Sequence, residues 1–194
     1  MAGSNRSVVL LALTGVAGLL LLIAADRFAR PELIGPGLLL FAAGIFAAGA
    51  DAIIRRRTVE RSRETTAVQV FTGTAARLMG VGMLILACAI GVAGISFLLG
   101  TEARVYDFLL RRPGFALVPA GLLFGVMGSA RVLGARDWRT PARILATLPE
   151  RFGGVLALLF GLALAGIGVF ELLAPPAFDE LVQSLLAPLQ DAPR

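Results

Sequence analysis

The stretch Leu78–Thr101 reads LMGVGMLILACAIGVAGISFLLGT, 24 residues without one charged side chain. About 20 apolar residues in a helix cross the ~30 Å hydrocarbon core of a bilayer. No water is available there to bond the backbone, so such a run has to close its own hydrogen bonds as a helix. Four more uncharged runs accompany it: Val8–Ala25, Leu33–Ala50, Pro113–Ala130 and Phe152–Phe170, of 18, 18, 18 and 19 residues. The composition agrees. Hydrophobic residues make up 57% of the 194 and charged residues 16%, against about 25% charged in soluble domains. That leaves too little polar surface for a soluble globule or a disordered chain.

The expected fold is an all-α integral membrane protein with five transmembrane helices in residues 1–175. The spans are read at about 8–25, 33–54, 78–101, 113–131 and 152–173, followed by an amphipathic tail over 176–194. The first run follows Arg6 and ends in small residues, as a signal peptide does. Its 18 residues exceed the usual hydrophobic region of roughly 7–15, so it is read as a retained helix. In the tail, Phe178, Leu181, Val182, Leu185, Leu186 and Leu189 recur at helical spacing opposite Asp179, Glu180 and Gln183. This pattern suits an interfacial helix or one docked on a partner. Before the last span, Thr140-Pro141 reads as an N-cap with proline at the first helical position, opening a short helix over 142–148.

Orientation follows from arginine. Arg6 and the segments 55–77 and 131–151 together hold 12 arginines, and the opposite side holds 6. The positive-inside rule then places the N-terminus and both basic loops in the cytoplasm of a bacterial inner membrane, with the C-terminus periplasmic. Phe28, Tyr106, Phe108, Trp138, Phe152 and Phe170 lie near the predicted ends of spans, where aromatic rings favour the interface.

The inventory excludes much chemistry. There is no His, all 18 basic residues are Arg, and Cys88 is the one thiol. Imidazole ligation or base catalysis, a lysine Schiff base, a phosphate-loop lysine and a paired-cysteine site are all unavailable. No cofactor or metal is expected, and no paired acidic motif suggests an enzyme. The arginines sit in short loops rather than in an aromatic-interleaved stripe, which argues against nucleic acid. No charge falls near the middle of a span, where ion-coupled transporters and voltage sensors carry theirs. Thr14, Ser96, Ser129 and Cys88 are the polar groups at depth; hydroxyls there commonly bond back to their own helix.

Two sets of residues remain as candidate sites. Arg55, Arg56, Arg57, Arg61 and Arg63 in the first basic segment, with Arg136, Trp138 and Arg139 in the second, are candidate contacts for lipid phosphate or a protein partner. Asp51 lies four residues before Arg55, a spacing that lets them pair on one helix. Small residues at four-residue spacing form ridges that let helices approach closely: Gly44 and Ala48, Gly121 and Gly125, and Ala157, Gly161 and Ala165. Such ridges serve packing within one chain, a homo-oligomer or a membrane partner.

The chain also carries the outline of a parallel repeat. Arg30-Pro31 and Arg57-Thr58 recur as Arg112-Pro113 and Arg139-Thr140, 82 residues on. Arg77-Leu78-Met79-Gly80 is matched by Arg151-Phe152-Gly153-Gly154, which suggests a duplicated hairpin plus a half-unit. The leading functional expectation is a non-catalytic accessory, anchoring or scaffold subunit. The alternatives are a small transporter or channel for a neutral or apolar solute, and a lipid-head-group-handling protein working at the arginine loops.

Overall fold

The computed structural model describes residues 3–61, 68–134 and 141–190, with side chains described for 13–56, 71–134, 148 and 151–184. The elements in order are α1 (Gly3–Arg27), a 3-10 turn (Pro31–Leu33), α2 (Ile34–Arg55), β1 (Arg57–Arg61), β2 (Val68–Thr72), α3 (Thr74–Leu98), α4 (Glu102–Arg111), α5 (Gly114–Gly134), α6 (Pro141–Leu173) and α7 (Pro175–Gln190). The all-α membrane class holds. Among the described residues, four helices are long and apolar enough to cross a membrane: Pro31–Arg55, Thr74–Leu98, Gly114–Gly134 and Arg151–Leu173. The expected first span, 8–25, falls within α1, and its opening residues lie outside the described side chains.

Four features differ from the sequence reading, one of them α4, a helix it does not expect. The third span starts and ends earlier than 78–101; at its end, Gly100 takes a left-handed φ of 62° and turns the chain out of α3. The short helix expected over 142–148 is not separate: α6 runs unbroken from Pro141 through Leu173. Pro149 lies inside this helix without ending it, two residues before the span Arg151–Leu173. The third difference is a β-hairpin in the basic segment, where the sequence reading has only a loop. Antiparallel β1 and β2 pair from Arg57 with Thr72 to Arg61 with Val68. Arg56 ends α2 with a φ of 54°, and its carbonyl accepts the Gly73 N–H at 2.8 Å, closing the hairpin at its base. The strand signal was present in Val68, Val70, Phe71 and Thr72, whose β-branched and aromatic side chains favour a pleated pairing.

The helices stand in a row. α1 packs on α2, α2 on α3, α3 on α5 and α5 on α6, and among the described residues no comparable packing joins the first helix to the last. Within each apolar span only 17–28% of residues are buried. The described helices thus form an open row, and apolar side chains stand exposed along each span. Among the described residues, one larger buried cluster gathers Phe71, Ala75, Ala76, Met79 and Ala130, where the hairpin is pinned to α3 and α5.

Candidate functional site

The seams between neighbouring helices are built from glycine. A β-carbon on Gly80 of α3 would lie 2.6 Å from the Gly49 carbonyl oxygen of α2, and one on Gly18 of α1 would lie 2.6 Å from the Phe41 nitrogen of α2. The α5–α6 seam has the longest run of such contacts. Gly121 faces Gly161 and Ala165, Gly161 faces Gly125, and Gly128 faces Gly154 and Leu158. A β-carbon on Gly128 would come within 2.6 Å of the Gly154 oxygen and the Leu158 nitrogen. Backbones this close gain dispersion contacts along their length, a main source of helix association where lipid removes the hydrophobic drive.

The predicted ridge residues divide accordingly. Gly121, Gly125, Gly161 and Ala165 come together in one seam, and Gly44 packs on Gly15 and Thr14 of α1. Ala48 is half-buried and lines an apolar groove with Val16, Leu19, Phe41 and Ile45, while Ala157 is half-buried one turn from Gly161. Sequence reasoning missed Gly18, Gly49, Gly80, Gly128 and Gly154, each in close contact with a neighbouring helix. A spacing rule applied within one helix does not show which small residues meet across two.

Glu171 was also missed as a structural residue. Only 3% of it is exposed, at the end of the α5–α6 seam, where its Oε2 accepts the Gly114 backbone N–H at 3.1 Å. Its Oε1 stands 3.6 Å from Nη1 of Arg112. A carboxylate from α6 thus caps the N-terminus of α5, where unpaired N–H groups and the helix dipole favour negative charge. The signal for it lay in Arg112-Pro113-Gly114, a helix start with no capping side chain of its own.

At the arginine-rich ends, Arg55 Nε and Asp51 Oδ1 pair at 2.6 Å, as their four-residue spacing predicts. Arg56 is exposed; Arg57 and Arg61 stand at the two ends of β1, and nothing of their side chains is described. Arg63, Arg136, Trp138 and Arg139 lie outside the described residues. Contact of Phe71 with Gly134 brings the hairpin beside the end of α5, so the two basic segments begin at the same end of the row. The two serines at depth bond to their own helices, Ser129 to the Gly125 carbonyl at 2.8 Å and Ser96 to that of Ala93 at 2.7 Å.

By helix length and composition, the protein belongs to the polytopic helical membrane class. No family model matches the chain, and no curated protein or solved structure matches it either.

Proposed function

We propose that this chain is a non-catalytic accessory, anchoring or scaffold subunit that packs beside other integral membrane proteins of a bacterial inner membrane. The observation that carries this reading is the open row of helices, tightly joined along glycine seams and exposing apolar side chains along each span. Such a row offers broad apolar surface at every depth of the bilayer. Its described grooves are mostly apolar and open to the side, one between α1 and α2 at Gly15, Gly44 and Ala48, the other near Ala25 and Pro31 with Asp26 on its wall. These suit helices or acyl chains better than a polar solute. The arginine balance supports a cytoplasmic N-terminus and a periplasmic C-terminus.

Purification in a mild detergent, with mass spectrometry of what remains bound, tests the reading. Larger membrane proteins retained at fixed stoichiometry are the expected result. A chain that runs alone or as a symmetric homo-oligomer overturns it.

A further inference from the structure

At the end of the row opposite the hairpin stand two short helices that the seams do not use. α4 joins α3 to α5, and α7 begins one residue after α6 ends. α4 is the most amphipathic of the helices and has no buried residue. Arg104, Asp107 and Arg111 share one narrow face, since residues three, four and seven apart align on a helix. Val105 and Leu109 lie half-buried near the centre of the opposite arc, beside exposed Glu102 of the first turn, and its flanks carry Tyr106, Phe108 and Leu110, 64%, 48% and 63% exposed, with Phe108 packed on Phe115 of α5 at 5.0 Å between ring centres. On α7, Leu181 is 49% exposed and Phe178 stacks edge-on against Phe170 of α6, with ring centres 6.3 Å apart.

A helix of 10 residues does not hold its structure alone in water, so this apolar arc needs a cover. The tethers decide which one. Only Leu99, Gly100 and Thr101 separate α4 from α3, and only Arg112 and Pro113 separate it from α5. Two spans therefore hold α4 at the level where they leave the hydrocarbon, which is the boundary between head groups and acyl chains. Charge narrows the lipid. Glu102, Arg104, Asp107 and Arg111 of α4 sum to zero, and α7 carries Asp179 and Glu180 with no basic residue.

We propose that α4 and α7 lie in the plane of one membrane interface, in the leaflet opposite the arginine-rich ends, with their apolar arcs inserted among zwitterionic or neutral lipids. The two helices form a lipid-binding surface that is independent of the subunit role and of any protein partner.

The test uses the full chain carrying Cys88→Ala and one added cysteine, labelled with a polarity-sensitive bimane. It is reconstituted in phosphatidylcholine vesicles containing spin-labelled lipid. Quenching at Tyr106→Cys should exceed that at Arg104→Cys, and quenching at Leu181→Cys should exceed that at Gln183→Cys, each by roughly threefold for an inserted apolar face. Replacing part of the phosphatidylcholine with phosphatidylglycerol should leave both ratios unchanged. Equal quenching within each pair overturns the proposal, as does insertion that appears only with anionic lipid. Weak quenching at Tyr106→Cys together with disulfide cross-linking between copies also overturns it, in favour of a protein cover.

Discussion

A β-carbon on Gly161 would land 2.6 Å from the Gly121 carbonyl oxygen, whereas one on Gly166 of the same helix would meet nothing within 4 Å. Gly161→Ala should therefore force α5 and α6 apart and cost about 1–3 kcal/mol, as overpacking does. Gly166→Ala should stay within about 0.5 kcal/mol of the parent. Thermal unfolding of both variants in one detergent checks the pair, and equal losses would show that the seam is not close-packed. Glu171 makes a second prediction at this scale. Its removal in Glu171→Ala leaves the Gly114 N–H without its partner in a buried setting and should cost about 1–3 kcal/mol. Glu171→Gln keeps an acceptor for that N–H and should cost less. Equal costs would assign the whole effect to the Arg112 pair. By contrast, Asp51 and Arg55 are both partly exposed, with side chains 33% and 40% accessible, and Asp51→Asn should cost no more than about 0.5 kcal/mol.

Among the elements, the β1–β2 hairpin depends most on one side chain. Phe71 is 4% exposed and lies among Ala75, Ala76, Met79 and Ala130, so it ties a two-stranded ribbon to the helices. A lone hairpin is marginal in water. Phe71→Ala should remove about 3–5 kcal/mol of packing and release the hairpin while the apolar spans persist. Hydrogen exchange then shows β2 and Gly73 losing protection ahead of α3; simultaneous loss along α3 would mean that the hairpin and helix form one cooperative unit. The hairpin was legible only in part. Val68, Val70 and Phe71 carry strand propensity, but Arg57–Arg63 resembles any charged membrane loop. What selects the strand is the landing site for Phe71 between α3 and α5, which no local pattern reveals. α7 was readable throughout, because its apolar spacing is internal to the segment.

For the whole molecule, the row of helices and the arginine balance make a joint prediction about sidedness. With Cys88 replaced by alanine, Phe28→Cys should react with an impermeant maleimide from outside intact cells. Arg56→Cys should react only after permeabilisation. Both positions are exposed; Phe28 lies in the link between α1 and α2, and Arg56 follows the far end of α2. The reverse pattern would turn the protein over and move the α4–α7 surface to the cytoplasmic leaflet.

Sequence by itself determined the class and the approximate place of four of the five expected spans, since a bilayer demands long uncharged runs and those are written consecutively along the chain. It also determined the Asp51–Arg55 pair and the back-bonded serines, because both act within one helix over three or four residues. Tertiary structure alone decided which glycines meet, that Glu171 caps α5, that Phe71 anchors a hairpin, and that the helices, over the described residues, line up without closing into a bundle. Each of these depends on groups brought together from different helices or across a turn. Among so many similar Leu, Ala and Gly residues, only the packed backbones distinguish a seam from a face turned to lipid.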